Sequence, residues 1–245
     1  MNKVIIIISF MIFLFLIKKN KESFKNNYKS YFINLDRDNK RRNYMKKQFR
    51  ENNIKCQRFK AFDKNLLNKK KIEEMKNNNI LDLNYKPKIH KLGSIACLVS
   101  HTNLYKKIYR ENKGGIFLIF EDDCKILPGF NKKIEYYLDR LPQDWDMIWL
   151  GYNNIKGKKY NKDFYIPNEG YHIGYNSQHH CYLLNYKFIP KLLGILLPIK
   201  ENFITKDQIL RINFSKFNAY FCKERLAIQD MKEFPFSERT GGRNG

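Results

Sequence analysis

Paired cysteines are missing from this chain. Its five cysteines (Cys56, Cys97, Cys124, Cys181 and Cys222) are odd in number, widely spaced and never arranged as C-x-x-C. That spacing excludes a zinc ribbon and gives no disulfide framework, so buried thiols are expected. Acidic residues are also few: 24 Asp and Glu stand against 47 Lys and Arg, for a formal net charge of +23. The lysines are scattered among asparagine and isoleucine, not interleaved with aromatics in a stripe, and no nucleic-acid module signature occurs. The excess therefore reads as compositional, and no specific nucleic-acid partner is expected. Such a field still draws nucleotides and other anions. No internal repeat is present. Core-forming residues, by contrast, are ample: 43% of the chain is hydrophobic and 15% aromatic, enough for one large α/β domain and too much for a disordered chain.

A long hydrophobic run is lacking too. The longest, residues 4–17, falls short of the ~20 residues that usually span a bilayer. Lysine and asparagine follow it, with no small-residue cleavage site, so an uncleaved N-terminal membrane anchor is expected over residues 1–27, linker included. The remainder, 28–245, reads as a single domain. Lysines after the segment outnumber those before it, which favours a cytosolic body. Secretory-pathway enzymes usually have the opposite topology, and the orientation stays open.

Along that domain, residues 30–35 and 57–62 read as strands with a helix between them from Asp36 to about Glu51. A polar, lysine-rich excursion follows over 64–90, helical or mobile. Apolar residues at Leu92, Ile95, Ala96, Val99, Leu104 and Ile108 have a helical period. Further helices are expected over 130–141, 186–197 and 205–213, and strands over 146–150, 180–184 and 219–222. Residues 152–170 read as a polar loop. Strands alternating with helices imply a mostly parallel sheet.

The richest stretch is Gly115-Ile-Phe-Leu-Ile-Phe-Glu-Asp-Asp-Cys124. An apolar run of this kind reads as a strand buried on both faces. It ends in Glu121, Asp122 and Asp123, three like charges that repel one another and resist desolvation. A hard divalent cation, Mg²⁺ or Mn²⁺, relieves that crowding, and ligands of open α/β sheets bind just beyond the carboxyl ends of strands. A solvated acidic turn is the plain alternative.

Three motifs stand in order: Phe32-Ile-Asn-Leu-Asp-Arg37 with Arg41 and Arg42 behind it, Leu92-Gly-Ser-Ile-Ala-Cys-Leu-Val-Ser-His101, and Phe120-Glu-Asp-Asp123. Together they resemble glycosyltransferase family 25, the lipooligosaccharide-type and procollagen galactosyltransferase family, over roughly residues 30–125. Asp146-Met-Ile-Trp-Leu-Gly151 and Thr205-Lys-Asp207 fall where that family has D-x-x-x-L-G and a later aspartate. The family's Glu is Ser94 here and its second Gly is Ala96.

The resemblance implies a GT-A-like, Rossmann-like α/β fold, a nucleotide-sugar donor (usually a UDP-hexose), an Mn²⁺-type metal and inversion at the anomeric carbon. The acceptor would be a hydroxyl of a glycan or protein. Charge growing on the leaving diphosphate suits a metal clamped by carboxylates, with Asp123 as direct ligand and Glu121 on ribose or metal-bound water, supported by Asp122. Asn34, Asp36 and Arg37 would meet the donor after the first strand and Arg41 or Arg42 its phosphate, although a capped helix entry with solvated arginines explains them as well. Ser100 and His101 would contact substrate, against the ordinary role of core packing. Asp207 would take the acceptor proton, with helix capping as its rival. A late metal-ligating His at 179 or 180 is a further option. Two other classes compete: a membrane-tethered binding protein with no turnover, and a metal-dependent phosphotransferase or nuclease.

Overall fold

A computed structural model of the chain describes residues 28–235, apart from 87, 89, 90, 171–173 and 201–204. The expected anchor at residues 4–17 lies outside the described residues. Among the described residues no helix is long and apolar enough to cross a membrane.

Ten strands among the described residues form one mixed sheet. β1 (Tyr28–Asn34), β2 (Cys56–Lys60), β3 (Ile116–Glu121), β5 (Met147–Gly151), β6 (Gly157–Lys159), β7 (Phe164–Pro167), β8 (Cys181–Asn185) and β9 (Ala219–Cys222) run in the order β2-β1-β3-β8-β5-β9-β7-β6. Two short strands, β4 (Cys124–Ile126) and β10 (Ala227–Gln229), pair with each other, and β10 also meets β5. Following the pairings, β1, β2, β3, β5, β6, β9 and β10 point one way. Most of the sheet is therefore parallel in direction, as expected, but β8 is inserted between β3 and β5 and runs antiparallel to both. β4 and β7 run with β8, against the other seven strands.

The helices lie on both faces. On one, α3 (Leu92–Glu111), α5 (Ile189–Leu196) and α6 (Lys206–Arg211) cover Phe117, Ile119, Met147 and Trp149. On the other, α1 (Asn39–Glu51) and α4 (Phe130–Leu138) cover Leu118, Phe120, Ile148 and Leu150. Successive residues of β3 and β5 thus go to opposite faces, which is why those strands are continuously apolar.

The stretch 64–90 is better anchored than its polar composition suggests. It holds α2 (Lys69–Asn77), and Leu67, Met75, Leu81 and Tyr85 enter the same core as α3. Leu81 also bridges to Ile199. The polar loop expected over 152–170 contains the β6–β7 hairpin instead. Few apolar side chains were available there to signal a strand.

Candidate active site

The first three motifs meet at a cleft of about 550 Å³. Register explains the meeting. β1 and β3 pair in parallel with Ile33 opposite Glu121, so the chain leaves both strands at the same sheet edge, with Asn34 next to Asp122. Asn34 Nδ2 donates to Asp122 Oδ2 at 2.7 Å, while its Oδ1 accepts from Arg42 Nε at 3.1 Å and from Arg58 Nε at 2.9 Å. Asn34 is buried and spends its amide on holding this junction together.

Arg41, buried on α1, supplies the charge that the crowded carboxylates require. Its Nη1 donates to Asp122 Oδ1 at 3.1 Å and to Asp123 Oδ2 at 3.3 Å, and Asp38, the helix cap, pairs with its Nε at 3.3 Å. Arg42, a further 100° around the helix, turns away from the carboxylates. Its guanidinium binds the Asp36 carbonyl at 2.6 Å, and it does not line the cleft. Asp36 lies outside as well, paired with Arg58 and Lys60, each at 2.6 Å. Arg37 does line the cleft and pairs with Asp63. Of the two arginines that follow the first motif, it is Arg41 that faces the carboxylates.

The three strand-end carboxylates have different environments. Burial, then the charge of Asp123, pushes Asp122 up to about 7 even though Arg41 and Asn34 pull it down. Burial raises Asp123 too, with Glu121 adding to it. Asp123 Oδ2 accepts from Gln229 Nε2 at 3.0 Å, whereas its Oδ1 is buried with no hydrogen-bond partner. Burial would raise Glu121 as well, but the Lys206 ammonium and His101 outweigh it and hold the carboxyl at about 2. Lys206 Nζ lies 3.0 Å from Glu121 Oε1, and His101 Nε2 lies 3.0 Å from the same oxygen. His101 itself is pushed down to about 4, by burial first and Lys206 second, and stays a neutral imidazole.

Ser100 and His101 sit at the floor of the cleft, on α3. The Ser100 hydroxyl accepts from the Phe62 amide at 2.8 Å and donates to the Ala96 carbonyl at 2.7 Å, so it fixes the loop after β2 to the helix. Asp207, in the first turn of α6, also lines the cleft. It is not the helix cap: Thr205 is, accepting from the Gln208 amide through Oγ1 at 3.2 Å. Asp207 Oδ2 instead accepts from the Gln178 and His179 amides at 3.0 and 3.4 Å, and its Oδ1 lies 3.2 Å from His179 Nδ1. Gln178 and Asn176 are both left-handed, at φ 58° and 48°, so the carboxylate pins a bend that those backbones do not favour. His180 is fully buried and outside the cleft lining.

Lys206 and Gln229 are the cleft residues that sequence reasoning missed. One lysine among so many carries no signal, and the burial of Lys206 comes from α6 docking on α3. Gln229 reaches Asp123 only because β10 pairs with β4, a contact between short strands with no sequence period to read.

The description "Glycosyltransferase family 25 (LPS biosynthesis protein)" belongs to a family model that matches residues 27–210. The chain belongs to glycosyltransferase family 25. That span contains Asn34, Arg41, the three strand carboxylates and Asp207. Relatives within the family include a "Glycosyltransferase 25 family member" of Anopheles gambiae, 29% identical over 70% of this chain and 30% of its own length. Human "Procollagen galactosyltransferase 2" is 24% identical over 83% of this chain and 33% of its own. A "Putative glycosyltransferase R655" of Acanthamoeba polyphaga mimivirus is 30% identical over 51% of this chain and 37% of its own. The chain spans about a third of the length of these curated relatives.

Proposed function

We propose that this family 25 domain is an inverting glycosyltransferase of GT-A-like architecture that moves a hexose, galactose or glucose, from a nucleotide-sugar to a hydroxyl of a glycan or protein. The observation that carries the reading is Asp123: a cleft-lining carboxylate with one oxygen held by Arg41 and Gln229 and the other buried without a partner. An acceptor oxygen left open in this way is costly unless a cation meets it. The donor set fits a hard divalent ion. Asp123 Oδ1 would hold Mn²⁺ or Mg²⁺, with the Glu121 carboxylate beside it. When bound, such an ion stabilises charge growing on a leaving diphosphate.

The remaining roles belong to the chain's own side chains. Arg37 borders the cleft and Arg41 lies behind the carboxylates, so both offer positive charge toward a UDP-type diphosphate. Glu121, kept ionised by Lys206, can accept hydrogen bonds from ribose or sugar hydroxyls but holds protons too weakly to act as a base at neutral pH. Among the described residues, Asp207 is the cleft carboxylate outside the strand-end cluster, and we assign it the acceptor proton. Gly93, Ser94 and Ala96 present little bulk to the cleft, and Ser94 replaces a family Glu, which makes this wall the place where acceptor preference would differ. The apolar segment at residues 4–17 supports a tether to a membrane.

A panel of nucleotide-sugars tested with and without Mn²⁺ decides the matter. Slow metal-dependent hydrolysis of at least one donor is expected without acceptor, because water can take the acceptor's place. Asp123→Asn should lose that hydrolysis and weaken Mn²⁺ binding while folding normally. Nucleotide binding with no turnover under any divalent ion would favour a non-catalytic binding module. Undiminished hydrolysis in Asp123→Asn would remove the metal from Asp123.

A further inference from the structure

Cys97 and His101 stand four residues apart on α3 and therefore project from one face of the helix. β3 brings Glu121 against that face. One ligand atom from each of the three lies within 4.8 Å of those of the other two. Thiolate sulfur, imidazole nitrogen and carboxylate oxygen are the donors that Zn²⁺ and Co²⁺ take in proteins.

A cation is already there. Lys206 Nζ lies 3.0 Å from Glu121 Oε1, 3.1 Å from His101 Nε2 and 5.4 Å from the centre of the Tyr182 ring. Lys206 is only 3% exposed, and a buried ammonium persists only where opposite charge and acceptors surround it. Nε2 of His101 also lies 3.0 Å from Glu121 Oε1, so this ring nitrogen sits between a donor and an acceptor. With Nε2 accepting from the ammonium, the ring hydrogen is on Nδ1. From there it is donated to the Tyr182 hydroxyl at 2.8 Å, which pairs with the Tyr105 hydroxyl at 2.6 Å. A neutral imidazole with its Nε2 lone pair facing a cation, and its other nitrogen anchored by a hydrogen bond, is the arrangement a metal-bound histidine adopts.

We propose that Cys97, His101 and Glu121 form a second cation site whose resident cation is the Lys206 ammonium, and that a thiophilic divalent ion takes the ammonium's place when it is removed. This site is distinct from the hard-ion position at Asp123 and shares only Glu121 with it. Metal–ligand bonds of ~2.0–2.3 Å are about 1 Å shorter than the ammonium contacts, so the three side chains would close inward. Cys97 would give its thiol proton to solvent on binding. The native lysine thereby keeps soft metals off a face of the cleft. The inference stands whether or not the domain transfers sugars, since no turnover enters its test.

The test compares the full chain with Lys206→Ala and Lys206→Ala/Cys97→Ser, using Co²⁺ as the probe. Lys206→Ala should acquire a near-ultraviolet sulfur-to-cobalt charge-transfer band and a higher melting temperature with Co²⁺. Both should be absent from the double variant. Affinity through Cys97 should rise ~10-fold or more over the native chain, because a partly buried carboxylate has lost its cation. A folded Lys206→Ala with no Cys97-dependent band overturns the proposal, as does an equally strong band in the native chain. If Lys206→Ala fails to fold, Lys206→Met keeps the apolar stem. Folding of either variant only with Co²⁺ supports the site, and failure of both with Co²⁺ present overturns it.

Discussion

Asp207 is the residue whose role geometry and sequence divide most sharply. Sequence leaves two options, base or helix cap, and Thr205 removes the second by capping α6 itself. In place of capping stands a clamp: two backbone amides of the 178–179 bend donate to one Asp207 oxygen. Asn in its place retains an acceptor for those amides. If the other oxygen takes the acceptor proton, Asp207→Asn should lower turnover by ~10²-fold or more while donor affinity and melting temperature hold, since the loss falls on the transition state. A fall in melting temperature and donor affinity with turnover within a few-fold of native would make Asp207 a clamp and nothing more. At this scale the sequence was most readable in the meeting of two strand ends, which brings Asn34 beside the carboxylates that close β3. It was least readable for Arg41, because two adjacent arginines differ only in which way the helix turns them, and for Lys206, whose burial depends on an element far along the chain.

Elements were legible where a period was strong. α3 occupies Leu92–Glu111, the stretch its apolar spacing marks out, and β3 is the two-faced buried strand that its run of apolar residues requires. The short strands β4, β6, β7 and β10 carry three or four residues each, too few for a period, and they form because partners are presented to them. The reversal of β8 had no sequence signature either, since both orientations bury the same alternating faces. One glycine records the resulting crowding. Gly151 closes β5 at the irregular step of its pairing with β8, and a Cβ there would fall 2.6 Å from His180 Cδ2 and 3.0 Å from Cys181 Cβ. His180 is fully enclosed, so the imidazole has nowhere to retreat. Gly151→Ala should therefore cost on the order of 1–3 kcal/mol, the penalty of overpacking a core. Chemical denaturation measures it directly, and an unchanged midpoint would mean that the ring moves aside without strain.

At the scale of the whole molecule, the buried ionisable groups pull stability in opposite directions as pH changes. His101 and His180 are both held down to about 4, chiefly by burial, so between the ordinary value of 6.5 and 4 the unfolded chain takes up protons that the fold refuses. Stability tied to them falls as pH drops through that window. Glu121, held at about 2 against its ordinary 4.5, acts in the same sense lower down: its contribution is present above 4.5 and fades as pH falls toward 2. Asp122 opposes them. With its carboxyl raised from 3.8 to about 7, the folded state binds a proton across that range that the unfolded chain has released, so its contribution is present below 3.8 and is lost as pH rises through 7. Asp123, whose carboxyl burial also raises, acts in the same sense as Asp122, so two imidazoles and two carboxyls oppose one another on acidification from 7 to 4. Asp122→Asn removes one opposing group without adding charge, so its melting temperature should fall more steeply over the same window than that of the native chain. Parallel melting curves across pH 7 to 4 would mean that Asp122 is already ionised at neutral pH, its charge carried by Arg41 and Asn34 despite the burial that surrounds it.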